Sequence, residues 1–161
     1  MQDWANQDPE EVYRNGTLAL IEQLHSGDKS AANRANELFG ARLTFGTAGI
    51  RGPMRAGPNG MNRLVISQTT AGLAKYFKEK SAVDQASDLL VVIGFDGRHH
   101  SETFAQDTAE VLSGYGIHTA VLPRMLPTPV LAFAVRELGA DAGIMITASH
   151  NPAEDNGYKV Y

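Results

Sequence analysis

The sequence predicts an α/β protein, a three-layer α/β/α sandwich around a mixed, largely parallel sheet. Apolar runs such as Leu89-Leu90-Val91-Val92-Ile93 are continuous rather than alternating, as in strands buried on both faces. Between such runs lie stretches with helix-opening and helix-stopping residues, so strands and helices take turns through the second half of the chain. The 161 residues, 43% of them hydrophobic, are enough for one domain with a real core and too few for two large ones.

Residues 1–38 read as a helical arm and 39–161 as the α/β domain. Asp8-Pro9-Glu10-Glu11 offers an N-cap acceptor, a proline at the first helical position and acids near the positive end of the dipole. Leu18, Leu20, Ile21 and Leu24 form an apolar side, Ser26-Gly27-Asp28 breaks the helix, and 31–38 can form a second one. A short strand is expected at 42–45. It runs into Gly46-Thr47-Ala48-Gly49-Ile50-Arg51-Gly52-Pro53 and Gly57-Pro58-Asn59-Gly60, a shaped loop. Asn62 then caps a helix to about residue 80 that buries Val65, Ile66, Leu73 and Phe77. After the strand at 89–93, the loop Gly94-Phe95-Asp96-Gly97-Arg98 leads to a helix from Ser101, ended by Gly114 and Gly116. A strand at 117–122, a helix opened by Thr128-Pro129 and stopped by Gly139, and a strand at 142–146 follow. Asn156-Gly157 reads as a turn before a last strand at 158–161, which it could set antiparallel to its predecessor.

Composition narrows the function. The net charge is −4 and the 14 basic residues are scattered. Only Lys75, Lys78 and Lys80 cluster, at a helix end where they complement the dipole, so nucleic acid is not an expected partner. The absence of cysteine excludes a disulfide scaffold and a Cys-based zinc site and fits a cytoplasmic protein. Neither a basic-then-apolar leader nor an apolar run of ~20 residues is present, so no membrane is expected.

In open α/β sheets, ligands gather beyond the carboxyl ends of the strands. The loops at 46–60, 94–101 and 147–157 lie there. The last reads Thr147-Ala148-Ser149-His150-Asn151-Pro152, then Glu154-Asp155-Asn156-Gly157-Tyr158-Lys159. A serine at a strand tip beside an Asn-Pro turn presents its hydroxyl to solvent with little freedom. Next to it stands a histidine, a residue type that titrates near neutral pH, with a lysine further on. Taken singly these are ordinary surface polarity; the whole string is what points to chemistry.

That string resembles the active-serine signature of the α-D-phosphohexomutases, the phosphoglucomutases, phosphomannomutases and their phosphopentomutase relatives. Gly46-Thr47-Ala48-Gly49-Ile50-Arg51-Gly52 is similar to the family's N-terminal glycine-arginine loop, and Gly94-Phe95-Asp96-Gly97-Arg98 with Ser101 to its second loop. Many members have arginine at the site of Phe95; Phe95 and Ala48 lean toward the branch holding phosphopentomutase-like and some bacterial glucose and mannose enzymes. The resemblance covers roughly residues 40–161 and implies domain I of an enzyme of four domains. It implies that Ser149 carries a phosphoryl group, gives it to a sugar monophosphate and takes back the other phosphate of the resulting bisphosphate. It further implies His150 and Lys159 for proton transfer and charge stabilisation, in either order, and Arg51 for holding phosphate or the catalytic loop. Thr47, Arg98 and Asn151 are its further phosphate-binding or loop-shaping candidates. Mg²⁺ is implied at the Ser149 phosphate, held mostly by an Asp-x-Asp-x-Asp loop of the next domain; no two aspartates here lie two residues apart. The expected partners are a hexose or pentose phosphate, a sugar 1,6-bisphosphate activator, the later domains of the same enzyme, and a second copy through surface those domains would cover.

A serine hydrolase is a poorer reading, because Gly-x-Ser-x-Gly is absent. A nucleotide fold is poorer still: there is no Gly-x-x-x-x-Gly-Lys-Ser/Thr loop, and Gly114-Tyr115-Gly116 follows a helix. The alternative from another class is a non-catalytic binding or regulatory domain that kept the mutase architecture, which would have no physical need of Ser149. Because the sugar-selecting domains would lie outside this chain, the 161 residues alone are expected to be close to inactive. A mutase assay on the purified chain checks this, and enzyme-like turnover would refute it.

Overall fold

The computed structural model describes residues 1–47, 49–80 and 89–161. Ala48 of the glycine loop therefore lies outside the described residues.

The arm consists of α1 (Gln2–Gln7), α2 (Glu11–His25) and α3 (Lys29–Phe39). Asp8 does not open α2 as its cap. Its backbone N–H closes α1 on Trp4 and Ala5, while its Oδ1 accepts from Glu10 N (3.0 Å), so α2 begins after Glu10. Asp28 caps α3 by accepting from Ser30 N at 2.8 Å, which starts that helix earlier than the pattern of apolar residues indicates. The arm meets the domain where Glu37 pairs with Arg55 and where Asn59 donates to the Glu37 carbonyl.

No strand forms at 42–45. The backbone there turns to the neighbouring loop instead, with Leu43 N donating to Pro58 O (3.0 Å), and the edge strand of the sheet is β1 (Ile50–Pro53). Asn62 does cap α4 (Arg63–Lys80): its Oδ1 accepts from Val65 N (2.9 Å), and its Nδ2 donates to the carbonyls of Arg55, Gly57 and Gly60. Then come β2 (Leu90–Phe95), α5 (Ser101–Gly114), β3 (His118–Val121), α6 (Thr128–Glu137), β4 (Ala142–Ile146) and β5 (Asp155–Val160).

The strand order is β1-β5-β4-β2-β3. β3-β2-β4 is parallel, whereas β4-β5 and β5-β1 are antiparallel, so the sheet is evenly mixed rather than largely parallel. The reason is local: the chain turns back directly after β4 instead of crossing over through a helix. That reversal does not use Asn156-Gly157, which lie inside β5 opposite Gly52 and Arg51. Alternate residues of the buried strands serve opposite faces. Val91, Ile93, Ile144 and Ile146 pack with Phe104 and Leu112 of α5 and Ile66 of α4, while Val92 and Met145 pack with Leu131 of α6. The result is the α/β/α sandwich, with the ends of β2 and β4 and the start of β5 side by side.

Gly157 is fixed by crowding. A Cβ there would lie 2.6 Å from Thr147 O and 2.7 Å from Ile50 O, both backbone atoms that cannot yield without moving a strand. Gly72, on the exposed side of α4, has open space around it. Gly157→Ala should therefore destabilise by about 1–3 kcal/mol, as overpacking does. Gly72→Ala should stabilise by about 0.5–1 kcal/mol through helix propensity. Urea unfolding of both variants checks the pair, and equal effects would contradict the packing.

Candidate active site

The loop between β4 and β5 is built from two successive tight turns, in which Asn151 N donates to Ala148 O (3.1 Å) and Asp155 N to Pro152 O (3.1 Å). Ala148 is buried at its base, while Ser149 and His150 are exposed. Ser149 has φ 59°, in the left-handed region. A residue with a side chain pays about 1–3 kcal/mol for that conformation and keeps it only where its surroundings impose it. The other described non-glycine residue with positive φ is His100 (63°), at the start of α5 in the adjoining loop. The strained backbone is thus concentrated where the two loops meet.

The contacts that impose it come from both sides. Thr147 Oγ1 accepts from Ser149 N (2.9 Å) and donates to Asp96 Oδ2 (2.5 Å). Asp96 Oδ1 also accepts from Arg98 N (3.0 Å) and Ser101 Oγ (2.8 Å). The Arg98 guanidinium reaches across to four carbonyls of the serine loop: Ser149 and Asn151 (2.8 Å each) through Nη2, Pro152 (2.6 Å) and Asp155 (2.9 Å) through Nη1. Asn156, fully buried, donates to His99 O (2.8 Å) and Ser101 Oγ (3.0 Å) and so ties β5 to the same loop.

Around the hydroxyl, His150 Nδ1 lies 3.4 Å from Ser149 Oγ. Arg51 Nη1 donates to Asn151 Oδ1 (3.4 Å), and Asn151 Nδ2 donates to Asp155 Oδ2 (2.8 Å). Arg51 Nε is buried and has no protein acceptor among the described residues. Arg51 stands opposite Gly157 on β1, and Lys159 follows two residues later on β5, which puts both side chains on one face of the sheet. Desolvation, and then the neighbouring Arg51 charge, hold the Lys159 ammonium below lysine's ordinary pKa, with Asp96 opposing. Thr47 is exposed in the small loop closed by the Gly46–Gly49 pair, and a side chain at Gly49 (φ 84°) would strike the Tyr158 carbonyl.

Ser149, His150, Asn151, Arg51 and Arg98 are therefore joined by contact, with Lys159 linked to Arg51 electrostatically. Phe95 is buried at the end of β2 and belongs to the core. Asp96, Thr147, Ser101 and Asn156 are members of the network that residue-type reasoning did not single out. The available signal was Asp96 placed two residues before Arg98, the spacing of an aspartate that closes a turn on the backbone.

The family described as phosphoglucomutase/phosphomannomutase, alpha/beta/alpha domain I, matches residues 42–161. The chain belongs to this family. It is 41% identical over 161 residues to a "Probable phosphoribomutase" of Schizosaccharomyces pombe, covering 100% of this chain and 26% of that protein. It is 54% identical over 102 residues to a "Probable phosphomannomutase" of Haemophilus influenzae, covering 63% and 20%. A phosphoglucomutase of Staphylococcus aureus is 40% identical over 157 residues, covering 98% and 27%. Among solved structures, that of a provisionally assigned phosphomannomutase from Thermus thermophilus superposes with a TM-score of 0.66 at 33% identity, covering 74% of this chain and 25% of that one. The chain thus spans about a quarter of the length of the relatives it matches. No helix among the described residues is long and apolar enough to cross a membrane.

The lysine makes a testable electrostatic element. Its depressed folded pKa means the folded state binds fewer protons than the unfolded chain between that value and the ordinary one of 10.5. Stability from this group therefore rises with pH through that window, and the penalty is complete below it. Arg51→Gln should move the Lys159 pKa part-way back up, since desolvation remains. NMR titration of the Lys159 side chain checks this; an unchanged or lower value would contradict the coupling.

Proposed function

We propose that this domain is the phosphoserine-bearing part of a sugar-phosphate mutase, with Ser149 as the residue that takes and returns the phosphoryl group. The observation that carries the reading is an exposed hydroxyl held at positive φ in a loop whose backbone is tied on both sides, next to an imidazole, with Arg51 bound to Asn151 of the same loop. A reactive group that must meet a phosphorus atom in line gains most from such fixing.

Transfer to the enzyme forms the Oγ–P bond and breaks the P–O bond to one oxygen of a sugar bisphosphate. The serine proton leaves Oγ, and a proton reaches the sugar oxygen. His150, with Nδ1 unprotonated, is the group placed to take the serine proton, at 3.4 Å. Lys159, with its lowered pKa, carries positive charge to the phosphoryl oxygens and releases a proton more readily than an ordinary lysine. The unpartnered Arg51 Nε is a donor that a phosphate oxygen would satisfy. The reverse transfer uses the same groups in the opposite protonation states. Asn151 holds Arg51 to the loop, and Thr47, exposed in the glycine loop, is a further candidate for phosphate.

Magnesium does not fit these residues unaided. No three His, Asp or Glu side chains group as ligands among the described residues, and near Ser149 the Asp96 oxygens and Asp155 Oδ2 already accept hydrogen bonds. A phosphate on Ser149 would give such an ion one oxygen ligand, and carboxylates would have to come from elsewhere in a longer enzyme. The sugar, hexose or pentose, would likewise be read by parts outside this segment; relatives named for ribose, mannose and glucose all match it.

Incubation with glucose 1,6-bisphosphate, followed by intact mass and peptide fragmentation, should place one phosphate on Ser149. Ser149→Ala should take none. Failure of Ser149 to label in the full-length protein would overturn the mutase reading and favour the non-catalytic one.

A further inference from the structure

We infer that Asp96 and Thr147, with Arg98, are positioning residues for the serine: they hold Ser149 in its left-handed conformation and so set the direction of its hydroxyl. The inference rests on the proposed role of Ser149.

Three features separate this arrangement from ordinary loop packing. First, it holds Ser149 by both of its own peptide groups. Its N–H is bound by Thr147 Oγ1 and its carbonyl by Arg98 Nη2, so rotation at this residue breaks a contact on one side or the other. Second, both contacts lead to one carboxylate. Asp96 Oδ2 orients the Thr147 hydroxyl so that its lone pairs face Ser149 N, while Asp96 Oδ1 takes Arg98 N and the Arg98 Nε lies 3.5 Å from Oδ2. Third, arginine has five N–H donors. Four of those on Arg98 meet carbonyls, and the remaining one faces Asp96. No donor is left over for a substrate phosphate, so Arg98 acts on the reaction through the loop.

The geometry also explains why the hydroxyl of Thr147 matters rather than its bulk. Thr147 is buried (4% exposed) and its Oγ1 both donates and accepts, which a methyl group of the same size cannot do. Asparagine at 96 could accept through one atom only, whereas the carboxylate accepts through two. Thr147→Val changes no charge, so it leaves the electrostatics of Lys159 untouched and isolates the positioning effect.

The test is carried out on the full-length protein, following the loading of Ser149 from glucose 1,6-bisphosphate by rapid quench and mass spectrometry. Thr147→Ser should load within about 3-fold of wild type. Thr147→Val and Asp96→Asn should load roughly 10–100-fold more slowly, the cost expected of an ångström-scale misplacement, with half-saturating bisphosphate little changed. Amide hydrogen exchange at Ser149 should be faster in both slow variants. Should Thr147→Val fail to fold, Asp96→Asn and the exchange measurement carry the decision. Loading of Thr147→Val at the wild-type rate, or equal slowing in Thr147→Ser, would overturn the inference. No loading of wild type would instead remove the reading of Ser149 beneath it.

Discussion

The left-handed backbone of Ser149 is the constraint around which this domain is arranged. β4 and β5 are neighbours and antiparallel, so the chain has only 147–154 in which to reverse, and two tight turns accomplish it. Such a reversal ordinarily calls for glycine at its left-handed position, because a side chain there meets its own backbone. A serine in that place must be held by something else. The holding groups come from the loop after β2, which is brought alongside because β2 and β4 are adjacent and parallel. The parallel half of the sheet thus supplies the support, and the antiparallel half supplies the reversal that needs it.

The same topology gathers the charges. Arg51 and Lys159 lie on adjacent antiparallel strands and on one face, where burial and then the Arg51 charge make the Lys159 ammonium less favourable. Gly157 lets Arg51 lie there, because a side chain at 157 would press on the arginine's own stem, 3.1 Å from its Cγ. A chain of net charge −4 therefore gathers two positive charges on one sheet face, one of them bound to the serine loop through Asn151. That is the local field a phosphoryl group requires, and the total charge gives no sign of it.

The sequence was legible where the cause was local. The strand at 142–146 coincides with β4, Asn62 caps α4, and glycine ends α5, because burial on both faces and capping depend on a few neighbouring residues. The serine string stood out for the same reason. The misreadings have non-local causes. Asn156-Gly157 has the composition of a hairpin turn, but Asn156 turns inward to bond His99 and Ser101, some 55 residues away, and Gly157 fills a crowded place in a strand. The expected strand at 42–45 gives way to a contact with the loop at Pro58, fifteen residues on from Leu43. Arg98 could be weighed as a phosphate ligand only while its four carbonyl partners, all beyond residue 148, were out of view.

A pulse-chase on the full-length protein tests the account most directly, because a carrier must give up what it accepts. The protein would be charged with sugar bisphosphate bearing ³²P, freed of excess, and mixed with unlabelled sugar monophosphate. The account predicts that label on Ser149 disappears at a rate compatible with turnover and reappears as sugar bisphosphate. Label that remains on Ser149 while mutase turnover proceeds would show that the serine is modified without carrying the reaction, and the account would be wrong.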